Sequence, residues 1–89
     1  MEFEYDIKKS KSNLVKHGID FEDIQELWEG EVVTVISRRK KEIRFLSIGR
    51  IAGEYWIVIH ANEGAAIRII SARRATGRER SYYDREINN

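Results

Sequence analysis

The sequence predicts an α+β fold: an N-terminal short strand and two helices, a four-stranded antiparallel meander, and a C-terminal helix. Three observations predict it. Apolar residues between Phe21 and Trp28 recur at spacings of three and four, a helical period. From Val32 to Ala72 the period falls to two, in runs rich in β-branched and aromatic residues. Thr76 and Glu79 then form a T-x-x-E pattern, which opens helices by exchanging side-chain and backbone hydrogen bonds.

The elements follow in order. Glu2, Phe3, Glu4 and Tyr5 alternate acid and aromatic, which suits a short strand with one wet face. Asp6 caps a helix over 7–17 by accepting from first-turn amides, and Gly18 ends it in the left-handed conformation. Asp20 opens a second helix over 21–29, with Phe21, Ile24, Leu27 and Trp28 inward, and Gly30 closes it. Val32–Ser37, Ile43–Ile51, Tyr55–Ala61 and Ala66–Ala72 read as strands. Their links are too short for parallel crossovers, so they pair as antiparallel hairpins. Tyr55–Ile59 is apolar on both faces and belongs at the centre of the sheet. A last helix covers 77–87.

Eighty-nine residues make one small domain over 1–89, burying roughly 60–65% of the surface its unfolded chain exposes. Such a core leaves little room for a deep cavity, so an exposed cleft or flat surface is the expected working part. With no cysteine, disulfides, thiolate metal sites and a thiol nucleophile are excluded. His17 and His60 are too few for a dedicated zinc site, and no cofactor or metal is expected. No apolar run approaches the ~20 residues needed to span a bilayer, and a cytoplasmic protein is the expectation.

The net charge of +1 conceals an asymmetry. Met1–Glu31 carries four Lys against nine acids, net −5, and Val32–Asn89 carries twelve Lys or Arg against six acids, net +6. The basic two-thirds suggests a side that faces a polyanion.

Arg68, Arg73 and Arg74 lie on or just after the last strand, and Arg78, Arg80 and Arg85 follow in the helix. Guanidinium forks match phosphate geometry and stay charged. By simple alternation Arg68, Ile70 and Ala72 share one face, and Ile67, Ile69, Ser71 and Arg73 the other. An arginine such as Arg68 in an Ile-rich strand needs an edge position, a carboxylate partner or a phosphate. Arg44 and Arg50 share a face with Leu46 and Ile48 and extend the basic surface. The run Arg38-Arg39-Lys40-Lys41 is expected at an exposed hairpin tip.

Lys16 and His17 close the first helix, where the bland reading is cationic charge complementing the helix dipole. The functional reading has one of them moving a proton, a task to which histidine is suited. Glu22 is a first-turn helix acid or, beside a basic cleft, a base. His60 is expected to pack and hydrogen-bond, and Trp28, Trp56, Tyr82 and Tyr83 to be core or partner surface, with packing favoured over base stacking.

The segment Arg68-Ile69-Ile70-Ser71-Ala72-Arg73-Arg74-Ala75-Thr76, with Glu79 and Tyr83 after it, is similar to the BrnT toxin family. That family's usual form is RIISAR, a basic residue, AT and an E-x-x-x-Y helix. Asn13-Leu14-Val15-Lys16-His17-Gly18-Ile19-Asp20-Phe21-Glu22 resembles the family pattern N-x-x-K-H-G-[VI]-x-F-x-[ED], and Arg44 through Gly49 resembles R-x-x-x-x-G. Tyr5-Asp6 departs from the usual Trp-Asp or Phe-Asp, which bears on packing.

The resemblance implies a RelE-like fold and an endoribonuclease toxin of a type II toxin–antitoxin system. It implies neutralisation by a BrnA-type antitoxin, contact with operator DNA only through that antitoxin, and inhibition of translation by RNA cleavage. The expected chemistry is metal-independent, with Arg68 and Arg73 on phosphate and Lys16, His17 or Glu22 moving protons. Arg44, Arg50, Arg74 and Arg78 are the expected RNA-binding residues. A second class of function stays open: a non-catalytic or degenerate partner that binds the antitoxin and modulates operon repression.

Overall fold

In the computed structural model of the chain, residues 1–38 and 41–89 are described. Arg39 and Lys40, in the middle of the basic run, lie outside the described residues. The order is β1 (Glu2–Glu4), α1 (Ile7–His17), a 3-10 helix (Asp23–Glu29), β2 (Val33–Arg38), β3 (Ile43–Ile51), β4 (Glu54–Glu63), β5 (Ala66–Arg74) and α2 (Gly77–Ile87). This is a mixed α+β architecture. Strands β2 to β5 form the antiparallel meander that the short links require. The sheet itself is five-stranded, in the order β1-β5-β4-β3-β2, because β1 joins it parallel to β5. The doubly apolar β4 is the central strand.

The caps form as their residue types dictate. Asp6 accepts from the amides of Lys8 and Lys9 at 2.8 and 3.2 Å. Gly18 sits at φ 82°, and its N–H returns to Leu14 O at 2.9 Å. In α2, Glu79 N–H donates to Thr76 Oγ1 while Thr76 N–H donates to Glu79 Oε1, closing the capping box.

The second helix departs from expectation. It is a 3-10 helix rather than an α-helix, and it starts at Asp23, after Asp20 has accepted from the amides of Glu22 and Asp23. The fully buried side chains are Phe21, Ile24 and Leu27, three residues apart each time. A helix with three residues per turn stacks those positions on one face, whereas an α-helix would rotate them apart. The sheet takes this face very closely: a Cβ on Gly49 of β3 would stand 2.8 Å from Leu27 Cγ.

Two apolar cores result, one on each face of the sheet. Ile19, Phe21, Ile24 and Leu27 meet Trp56, Val58, Ile69 and Ala72 on the first. On the second, Ala75 and Tyr83 cover Ile48 and Ile57, and the Tyr83 hydroxyl donates to Glu31 O at 2.9 Å. Helix α1 buries polar residues instead, Ser10 and Asn13, and leaves Ile7, Leu14 and Val15 exposed. Its inner contact is therefore made by hydrogen bonds more than by apolar area. Among the described residues no helix is long and apolar enough to cross a membrane.

Candidate active site

The pairing of β4 with β5 decides which arginines face together. Ile59 pairs with Ser71 but His60 pairs with Ile69, so Ile70 is an extra residue in β5, a β-bulge. Paired residues share a face, and the bulge resets the alternation. Arg68 (opposite Ala61), Ser71 (opposite Ile59) and Arg73 (opposite Ile57) therefore lie on the α2 face, and Ile67, Ile69 and Ala72 on the other. The alternation expected from sequence, with Arg68 beside Ala72 and opposed to Arg73, is corrected by that one inserted residue.

On the α2 face the guanidiniums meet carboxylates. Glu42 bridges two of them, taking Nε of Arg44 at 3.0 Å on one oxygen and Nη2 of Arg68 on the other. Arg68 Nε also stands 3.5 Å from Glu63. The hydrogen bond from Arg44, followed by the positive charge of Arg68, holds the Glu42 carboxyl below its usual range. Arg68 and Arg44 are about one-third exposed, and each retains N–H donors that no carboxylate occupies. A carboxylate flanked by two partly free guanidiniums can accept a proton while its neighbours hold an anion.

Arg73 is bound differently. Its two Nη atoms grip the two oxygens of Glu79 at 2.9 Å each, and Nη1 also reaches Arg74 O at 3.2 Å. The hydrogen bonds from Arg73 lower the Glu79 pKa, and those to Glu79 raise that of Arg73. Because Glu79 also closes the α2 capping box, Arg73 fastens the end of β5 to the start of α2. Along β4 the partners of Arg68 and Arg73 are four residues apart, about 13 Å at strand rise. The two arginines share a face but point to different carboxylates.

The other expected residues are dispersed. Arg74 is on the opposite face, paired with Glu54 at 2.7 Å and lying over the Trp56 ring. Arg50 shares the face of Arg44 but lies over Tyr55 at the far end of the sheet. Arg78 borders an apolar groove between α2 and β2–β3. Lys16 and His17 line a cleft of about 180 Å³ between α1 and β5, with Lys9, Ser12, Ile70 and Ser71. A second cleft, with Arg68 in its wall, shares Lys9 and Ile70 with the first. Glu22 lines neither cleft.

Sequence reasoning passed over Glu42, Glu63 and Asn13. Glu42 stands two residues before Arg44, a strand spacing that puts both on one side, and that signal was readable. Asn13 is buried: its amide donates to Ile19 O at 2.8 Å and Ala72 O at 2.9 Å, and its oxygen accepts from Ala72 N–H at 3.2 Å. It thus pairs with β5 where β1 has ended, fixing α1 against the bulged strand. His60 packs as expected, stacked on Phe45 with its Nε2 2.7 Å from Ser47 Oγ. Burial pushes its pKa down to about 4.

Among the described residues no three His, Asp or Glu side chains gather into a group able to hold a metal ion. The family model of the ribonuclease toxin BrnT, of type II toxin-antitoxin systems, matches residues 5–79. Compared with curated proteins, the chain matches none.

Proposed function

Since the chain belongs to the BrnT family of ribonuclease toxins from type II toxin-antitoxin systems, we propose that it cleaves RNA without a metal at Arg68. The observation that carries this reading is the Arg44–Glu42–Arg68 cluster on the α2 face. In the proposed step Glu42 takes the proton of a ribose 2′-hydroxyl, whose oxygen attacks the adjacent phosphorus. The bond to the 5′ oxygen breaks, that oxygen takes a proton from water, and a 2′,3′-cyclic phosphate remains. Arg68 and Arg44 stabilise the charge that builds on the phosphoryl oxygens, the role two fixed cations perform best in a partly dehydrated site. Glu42 is ionised at neutral pH for the reason already given, and transfer of the guanidiniums to phosphate strengthens it as a base. Arg73 supports the site from the neighbouring end of β5, and Lys16 and His17 serve the adjoining cleft.

By the same reading the fold is RelE-like, the site of action is the cytoplasm, and RNA cleavage stops translation. A BrnA-type antitoxin neutralises the toxin and carries the pair to operator DNA. The test is expression without antitoxin, together with cleavage of RNA by purified protein in EDTA. Growth arrest is expected, with a cleavage ladder that survives the chelator and products ending in cyclic phosphate. Arg68→Ala and Glu42→Gln should each cost a factor of ~10²–10³ in rate while the protein stays folded. Wild-type rates in both variants, or cleavage abolished by EDTA, would overturn the mechanism.

One observation favours the non-catalytic alternative: Arg44, Arg68, Arg73 and Arg74 all have carboxylate partners, as cations built only for structure or docking would. Absence of both growth arrest and cleavage would decide for it.

A further inference from the structure

The cleft between α1 and β5 is lined by basic and hydroxyl side chains. Two lysines line it, Lys9 and Lys16, with His17 and the hydroxyls of Ser12 and Ser71, and none of its lining residues is acidic. On the sheet, by contrast, Arg44, Arg68, Arg73 and Arg74 each meet an acid, while Arg50 lies over the Tyr55 ring. The composition follows from helix geometry. Lys9, Asn13 and Lys16, at spacings of four and three, form one stripe of α1. Asn13 pins that stripe to Ala72 and so holds the two lysines along the open edge of β5. Lys11 lies on the opposite side of α1 with the exposed Ile7, Leu14 and Val15. The carbonyl end of α1 also lies nearby and disfavours an anion, but two lysine charges and two hydroxyls outweigh that partial charge.

We propose that this cleft binds a phosphate of the RNA chain next to the one cleaved, with Lys9 as its central ligand. The proposal rests on the ribonuclease reading and extends it from the reacting phosphate to its neighbour. Lys9 also borders the cleft that contains Arg68, whose wall carries Glu4 and Asp6 as well. Lys9 is the cation common to both clefts, so a strand lying along β5 passes Lys9 on its way from one to the other. Among the described residues the Lys9 ammonium makes no hydrogen bond or ion pair; its backbone amide serves the cap of α1.

The experiment measures binding separately from cleavage. A short single-stranded RNA of mixed sequence, methylated at every 2′ oxygen, cannot undergo the attack and reports affinity by fluorescence anisotropy. Lys9→Ala should weaken binding by about 5–10-fold at low salt and reduce the log–log salt slope by about 0.7, the share of one neutralised phosphate on a single strand. Lys9→Glu should weaken it further. Lys11→Ala, which removes the same charge from the same helix off the cleft, should change affinity by less than about twofold. Equal losses from Lys9→Ala and Lys11→Ala, or none from Lys9→Ala, would overturn the inference while wild-type cleavage upholds the ribonuclease reading. Wild-type protein that binds in this pattern but cuts no RNA would instead sink the catalytic reading and leave the phosphate cleft standing.

Discussion

Replacing His60 with glutamine should flatten the acid limb of the stability curve. His60 is 5% exposed, boxed between Phe45 and the edge of Trp28, and its Nδ1 has no hydrogen-bond partner among the described residues. Burial favours the neutral ring, so the folded pKa falls from 6.5 to about 4. The sign follows directly. Between those values the unfolded chain binds a proton that the folded chain refuses, so acid pulls the equilibrium towards unfolding. The contribution is fully present above the unfolded pKa and is lost as pH falls towards 4. At about 1.36 kcal/mol per pH unit, the gap between 6.5 and about 4 amounts to about 3 kcal/mol.

Glutamine is of similar size, can still reach Ser47 Oγ, and does not titrate. His60→Gln should lose about 1 kcal/mol at pH 7 for the missing ring contacts, yet match or exceed wild type at pH 4.5. Urea denaturation followed by Trp28 and Trp56 fluorescence, at steps from pH 7 to 4.5, measures both curves. Glu42 and Glu79 also lose stabilising ionisation in acid, because their folded pKa values are lowered, but they do so in both proteins and cancel in the difference. Parallel curves for the two proteins would refute the reasoning.

Asn13→Ala should cost about 2–4 kcal/mol, since it strands buried polar groups of Ile19 and Ala72. Asn13→Asp should cost more, because a carboxylate would face two carbonyls; thermal melts at pH 7 rank the three proteins. Gly49→Ala should cost about 1–3 kcal/mol as Leu27 is forced aside, and a midpoint unchanged in urea would show that the contact is slack. Thr76→Ala should cost about 1 kcal/mol through the α2 cap, readable as faster amide exchange in residues 77–80. Arg73→Ala should lower RNA cleavage and loosen the start of α2 together. If activity falls and exchange does not, the arginine acts on phosphate alone.

The helix caps and the meander were legible because each rests on short-range chemistry: Asp6, Gly18, Thr76 and Glu79 act within a few residues of themselves. The 3-10 helix was half-legible. Phe21, Ile24 and Leu27 already stand three apart, but Trp28 suggested a wider α-helical stripe. The partner of β1 lies more than sixty positions away, and three residues carry too little pattern to name it. The bulge at Ile70 was invisible, since an inserted residue in an Ile-rich run changes facing without changing composition. That single position set the facing: it brought Arg68 and Arg73 to one face and sent the naive alternation the wrong way. A carboxylate partner was one of the alternatives open for Arg68, but neither Glu42 as that partner nor its sharing with Arg44 was read from the sequence. Asn13 was quoted within a motif and given no task, because its partner on β5 lies 59 positions on.

Asn13 has a consequence for how the protein meets other chains. An uncovered strand edge invites any extended polypeptide to add itself, the first step of aggregation. Beyond Arg68, β1 no longer guards β5. A side-chain amide there presents one donor and one acceptor to Ala72, as a neighbouring backbone would. The edge is thereby closed to polypeptide at its centre. On the proposed reading the charges that flank it serve a polymer that carries phosphates instead of amides, so one residue would let the same edge refuse one kind of chain and admit another.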